Sequence, residues 1–238
     1  MRPLLAQLGM ELRLALRRGE NLLVTIVVPE ALLIFFAGVL IVPTPGETLD
    51  FLVPGLLALA VMSTGMVSLG ISTAYERYYG VLKRLIGSPL PPASLLLAKT
   101  GATLAVEVVQ VLLLVGTAWL VYGWRPGGSL PLALLALLVG SLTFAGIGLL
   151  MAGTLRAETT LALANGLYLL FLLLGGFVLP LEHLPTAVAA VARLLPGAAL
   201  ADATRDAMLG GPYWGPLALL AAWGAAALGL AARTFKAE

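Results

Sequence analysis

Six apolar runs, each close to the ~20 residues that cross a bilayer core, fall at residues 22–42, 51–74, 95–122, 130–155, 160–180 and 213–232. In hydrocarbon, backbone N–H and C=O groups must be satisfied within the protein, so open-ended runs of this length are expected to be helices. The 238 residues are 60% hydrophobic and 11% charged, where soluble domains are ~45–50% apolar and ~25% charged. The expected fold class is therefore all-α: a polytopic membrane protein, one domain over residues 1–238 with six transmembrane helices. The first run starts near Leu22 and is long enough to span, so the beginning of the chain reads as an uncleaved first span and not a signal peptide.

What lies between the runs is short. Over residues 4–18, Leu4, Leu5, Leu8, Leu12, Ala15 and Leu16 share one helical arc, while Gln7, Glu11, Arg13, Arg17 and Arg18 occupy the other. This predicts an interfacial helix within residues 1–20, lying against anionic headgroups. Residues 75–92 form the one extended polar stretch between apolar runs in the first half of the chain. At 100° per residue, Tyr78, Tyr79, Val81, Leu82, Leu85 and Ile86 group together opposite Glu76, Arg77, Gly80, Lys83 and Arg84, an amphipathic helix. Pro89, Pro91 and Pro92 should end it near Gly87-Ser88. An ordinary surface loop with a helical turn accounts for the same pattern.

The segment Glu76-Arg77-x-x-Gly80-x-x-Lys83-Arg84-Leu85, followed by Ser88-Pro89-Leu90, resembles the loop between the second and third spans of type-2 ABC transporter permeases. Tyr78 stands where that family frequently has an acidic residue. The resemblance implies that Glu76, Arg77, Gly80, Lys83, Arg84 and Leu85 form a coupling helix docked on a separate ABC-type ATPase subunit. It also implies pairing with a second permease copy or a paralogue, and an N-terminal connecting helix. ATP and Mg would be bound by the ATPase partner, with no cofactor in this chain.

The charges orient the runs. With the N-terminus cytoplasmic, one side carries Arg2, Arg13, Arg17, Arg18, Arg77, Lys83, Arg84, Lys99, Arg156, Arg233 and Lys236, eleven of the fourteen basic residues, and the other Arg125, Arg193 and Arg205. By the positive-inside rule, both termini and residues 75–92 face the cytoplasm of a cytoplasmic (inner) membrane. The external connection, 181–212, holds two helical patterns, the first through Leu184, Val188, Val191, Ala192 and Leu195 and the second over 200–209, separated by Pro196-Gly197. Neither is long enough to span. They resemble the re-entrant helices before the last span of type-2 ABC exporters, and a surface loop with two amphipathic turns fits as well.

Ionisable groups within spans are costly and need a reason. Thr100, Thr103, Glu107, Gln110 and Thr117 share one face of the third run, which must meet protein or water; the stripe either lines a translocation path or bonds a neighbouring span. Glu30, next to Pro29 in the first run, leaves the same choice. Asn165 reads as interhelical glue, and Gly146, Gly148, Ala152, Gly175 and Gly176 as sites of close helix packing. The candidate path residues are thus Glu30, Thr103, Glu107 and Gln110.

Several chemistries are excluded by the residues. There is no Gly-x-x-x-x-Gly-Lys-[Ser/Thr] loop for ATP, no cysteine, and one histidine, His183, so no Cys- or His-based metal centre is expected. A net charge of +2 gives no reason to expect nucleic acid. The expected function is the membrane-spanning subunit of an ATP-driven exporter, not itself an enzyme, moving amphipathic drug-like or lipid cargo. The alternatives are a polysaccharide or lipid-linked glycan exporter of the same family, for which the runs lack an obvious line of aromatics, and a proton-coupled carrier using Glu107 and Glu30.

Overall fold

The computed structural model describes residues 2–17, 19–39, 48–86 and 92–234. Residues 40–42 of the first run, Arg18, Lys236 and the proline stop at 87–91 lie outside them. So do the side chains of Arg2, Leu4, Leu85 and Ile86. The described residues form eleven α-helices and no strand: α1 (Arg2–Arg17), α2 (Gly19–Val39), α3 (Thr48–Met62), α4 (Leu69–Tyr78), α5 (Val81–Ile86), α6 (Pro92–Tyr122), α7 (Leu130–Thr154), α8 (Ala157–Leu174), α9 (Thr186–Ala192), α10 (Pro196–Leu209) and α11 (Trp214–Thr234). Five helical stretches are long and apolar enough to cross a membrane, and α9 with α10 makes a sixth if the bent pair is taken as one span. The shorter apolar stretch Thr25–Gly38 lies within the first run.

The second run is longer than expected. α3, a π-helical segment Ser63–Ser68 and α4 make one rod from Thr48 to Tyr78. Every residue from Phe51 to Met62 is buried, as suits a helix apolar all round. α2, α6, α7 and α10 pack around this rod, and α7 is further covered by α11. A Cβ on Gly148 of α7 would stand 2.8 Å from the Gly65 carbonyl oxygen. Only glycine allows the two backbones that approach, as expected of small residues at a membrane helix crossing.

The fifth run is shorter than expected and ends at Leu174. Gly175 and Gly176 do not serve helix packing. Gly176 sits at φ +63°, a conformation other residues rarely adopt, and turns the chain so that Phe177 becomes fully buried. Beyond it, α9 and α10 meet at 82°. Pro196 does not break a helix here; it begins α10, where a first-turn proline forfeits no hydrogen bond. α10 is buried along most of its length against α3, α7 and α11.

Each of the two amphipathic stretches carries a buried carboxylate. On α1, Gln7 and Glu11 are buried, Leu8, Leu12 and Ala15 are half-buried, and Leu16, Arg13 and Arg17 are exposed, so the face against the bundle mixes apolar residues with two polar ones. In the 75–86 stretch, the expected single helix is broken at Tyr79-Gly80, with Gly80 at φ +71°. Tyr78 and Tyr79, 63% and 68% exposed, project outward, while Glu76 is buried at the end of the rod. The two buried carboxylates, Glu11 and Glu76, share one cause, a buried lysine.

Candidate functional site

Lys99 lies about two turns into α6 and is 3% exposed. Its ammonium donates to the Glu11 carboxylate of α1 at 3.2 Å and to the Glu76 carboxylate of α4. Gln7 Nε2 donates to Glu11 Oε1 at 2.9 Å, holding that carboxylate from its own helix. A buried ammonium requires such partners, and meeting that need draws the Glu11 and Glu76 carboxylates inward. The joint borders a cavity of about 80 Å³ lined by Thr25, Thr64, Ser68, Ser72 and Thr103 besides the three charged groups.

One residue further on, Arg77 Nη2 donates to the carbonyl of Leu155, the residue that ends α7. This cation at a helix C-terminus meets an orphan carbonyl and a favourable dipole. Rod, α1, α6 and α7 are thereby fastened together just before the chain turns at Gly80. Past the turn, Leu82 is fully buried, anchoring α5; Lys83 and Arg84 are exposed.

From the turn a groove of about 580 Å³ runs between the rod and α8. It is lined by Tyr75, Glu76, Tyr79, Val81, Ser72, Ser68, Ser63 and Thr25 together with Leu161 and Asn165 of α8. A neighbouring cavity of about 300 Å³ continues along Val28, Pro29, Leu59 and Tyr168. Hydroxyls, an amide and tyrosine rings alternate here with aliphatic walls, a surface that accommodates amphipathic molecules. The π-helical segment supplies Ser63, Val67 and Ser68 to it; such segments occur often at functional sites.

The predicted path residues are distributed differently. Gln110 Oε1 accepts from Thr64 Oγ1 at 3.0 Å and its Nε2 donates to the Thr25 carbonyl at 2.8 Å, so it ties α6 to the rod and α2. Thr103 bonds the Lys99 carbonyl of its own helix at 3.1 Å and faces the small cavity. Glu107 is 4% exposed and enclosed. Ser141 of α7 lies beside its carboxyl, yet Glu107 Oε1 and Ser141 Oγ complete no hydrogen bond. Glu30 is half-buried near Thr117. None of Glu30, Glu107 and Gln110 lines the groove. Asn165, expected to bond a neighbouring span, donates to Leu161 O on its own helix and is exposed at the groove.

At the far end of the bundle Arg205 of α10 lies 4.0 Å over the Phe51 ring. It donates to Gly176 O at 2.8 Å and pairs with Asp202 at 3.1 Å. This clasp joins the start of the rod, the turn after α8 and the bent helix pair. Sequence reasoning counted Arg205 and Lys99 only for orientation. The available signal was a lysine just inside an apolar run, which must be paired. Among the described residues no group of His, Asp and Glu is arranged to hold a metal ion.

A multi-span helical bundle with an exposed basic helix at a hinged span end, and a mixed polar groove leading from it, is the architecture of a membrane transport subunit. The model of the ABC-2 type transporter family matches residues 4–209. The chain belongs to that family. It is 30% identical to the ABC transporter G family member 20 of Dictyostelium discoideum over 166 residues, 68% of this chain but 22% of that protein. A Bacillus subtilis (strain 168) chain named as a transport permease, YvfS, is 26% identical over 223 residues, covering 90% of this chain and 89% of that one. An Escherichia coli (strain K12) chain named as a probable multidrug ABC transporter permease, YbhR, is 27% identical over 136 residues, 57% of this chain and 37% of that one.

Proposed function

We propose that this permease exports amphipathic drug-like or lipid cargo across the cytoplasmic membrane, driven by a separate ATPase subunit that binds ATP and Mg, and that it pairs with a second copy or a paralogue. The observation carrying this reading is α5: a six-residue helix with Lys83 and Arg84 exposed, seated by buried Leu82 and separated from the rod by the Gly80 turn. It has the form of a knuckle for an acidic cleft. The cytoplasmic placement of α5 and both termini follows from the eleven-to-three split of basic residues. A push on α5 reaches the rod through Gly80, and with it the groove wall.

The groove's alternation of hydroxyl and aliphatic side chains supports an amphipathic cargo, as does the multidrug name of the Escherichia coli relative. Tyr75, Tyr79 and Tyr168 give the groove and its neighbouring cavity the aromatic faces that the sequence pattern did not gather. They favour the second reading, glycan export, because sugar rings stack on such faces.

Because Arg77 is used in capping α7, the coupling test belongs on Lys83 and Arg84. The tagged chain, purified in mild detergent, is expected to bring down a P-loop ATPase, and Lys83→Glu/Arg84→Glu to release it while the permease stays folded. An ATPase that remains bound to the double variant, or none bound to the native chain, would refute the coupling role. Transport of lipophilic fluorophores against fluorescent glycans then separates the two cargo readings.

A further inference from the structure

Glu76 is the one charged residue that borders both the groove and the small cavity around Lys99. Thr25, Ser68 and Ser72 share that position, so the partition between the two spaces is one layer of side chains, mostly hydroxyls. On its cavity side the Glu76 carboxylate is bonded to Lys99. On its groove side stand Tyr75 and Tyr79, their rings stacked with centroids 6.1 Å apart and an interplanar angle of 28°. A carboxylate beside aromatic faces, in a partly water-excluded groove, is the combination that recognises an organic cation. The carboxylate supplies charge and the ring faces accept an ammonium or phosphonium that is too bulky for tight hydration. The structure contains such a cation already, since Lys99 is itself an ammonium on the same carboxylate.

We propose that this partition is a binding site for the cationic group of an amphipathic cargo, with Glu76 as its counter-charge and Tyr75 and Tyr79 as its aromatic wall, and that occupation draws Glu76 away from Lys99. Lys99 keeps Glu11, so α1 stays on α6. What is lost is the tie from α4 to α1 and α6, at the end of the rod that carries the Gly80 turn and α5; α4 stays on α7 through its packing and the Arg77–Leu155 bond. Cargo in the groove then changes the freedom of the helix offered to the ATPase. This deepens the export reading, because the consequence for α5 matters only if α5 docks a partner, but the binding step itself does not depend on that reading.

The test uses the full chain in lipid nanodiscs without any ATPase, with tetraphenylphosphonium as the cation and tetraphenylborate as its anionic counterpart of the same shape. Glu76→Gln is expected to weaken tetraphenylphosphonium binding about tenfold, the scale of one partly desolvated charge contact, and to leave tetraphenylborate binding unchanged. Tyr79→Leu alters an exposed ring that the fold does not need, and is expected to weaken the cation about threefold, the lower range of a cation–π contact. The chain has no cysteine, so spin labels on Arg13→Cys and Lys83→Cys report the α1–α5 distance. Saturating tetraphenylphosphonium should broaden that distribution, and tetraphenylborate should not.

Equal cation affinity in the native chain and in both variants, or no saturable cation binding to the native chain, overturns the site. Cation binding with an unchanged α1–α5 distribution overturns the loosening of α4 from α1 and α6. Failure of the coupling reading is separately visible: Lys83→Glu/Arg84→Glu would retain the ATPase, whatever the phosphonium does.

Discussion

Replacing Lys99 by methionine isolates what the buried joint contributes. The side chain keeps a similar length and apolar stem, so little packing is lost, but the ammonium bonded to both Glu11 and Glu76 is removed. Lys99 is 2% exposed at its side chain and the two carboxylates about 10%, at 10% and 11%, so solvent screens the arrangement weakly. Removing one partner of a buried ion pair costs about 3–5 kcal/mol, and we expect Lys99→Met near the top of that range because two carboxylates lose the same cation. Glu11→Gln leaves the Lys99–Glu76 contact in place and retains an acceptor for Gln7, so its cost should be about 1 kcal/mol. The triple change Lys99→Met/Glu11→Gln/Glu76→Gln removes every charge at the joint and should recover at least half of the single-lysine loss. Equilibrium unfolding in bicelles, followed by tryptophan fluorescence, measures all three. A cost under about 1 kcal/mol for Lys99→Met, or a triple variant no more stable than Lys99→Met, would refute the view that this pairing draws the Glu11 and Glu76 carboxylates inward.

Gly80→Ala should cost about 1–2 kcal/mol, since the residue sits at φ +71° with open space around it; the loss is one of backbone strain and should show as a shorter distance distribution between labels on α4 and α5. Gly148→Val places a side chain where even a Cβ would be 2.8 Å from the Gly65 carbonyl oxygen, and is expected to destabilise by about 1–3 kcal/mol, read as a lower melting temperature in detergent. Arg205→Met removes the bond to Gly176 and the contact over Phe51; about 2 kcal/mol should be lost, with faster hydrogen exchange confined to residues 176–209.

The spans were legible because hydrophobic length is the property a bilayer selects, and the second, third, fourth and sixth runs are long apolar helices within about four residues of their expected ends. The exceptions are instructive. The fifth run's apolar sequence continues through Phe177 and Val178, but a positive φ at Gly176 redirects those residues into the core, and hydrophobicity alone does not distinguish a continuing span from a buried turn. The amphipathic arcs of α1 and of residues 75–86 predicted helix, but gave no sign that Glu11 and Glu76 within them are buried. An arc ranks residues by their own polarity, and carries no information about a lysine 88 residues away in sequence from Glu11 that draws its carboxylate inward. The stripe on α6 was expected to meet either protein or water; Gln110 meets protein, because the π-helical segment offers Thr64 at the right height, and a π-helix has no strong sequence signature.

The position of Glu76, placed in the coupling helix by its motif, has a mechanical meaning that the motif does not express. From Thr48 to Tyr78 the rod holds 31 residues, about 45 Å at 1.5 Å per residue, enough to cross the whole bilayer core. Phe51, under the Arg205 guanidinium, lies at one end; Glu76 and Arg77, fastened to Lys99 and to the end of α7, lie at the other. Between them the rod is buried from Phe51 to Met62 and packed on one side beyond it, and α7 crosses it at glycine contact, so neither end can tilt without moving helices packed along its length. The departure from α-helical geometry falls at Ser63–Ser68, the section that faces the groove. Lys83 and Arg84 stand beyond the Gly80 turn on α5, whereas Glu76 belongs to the rod itself: on the coupling reading proposed above, the exposed bases lie on the element that receives the push and Glu76 on the element that the push has to move.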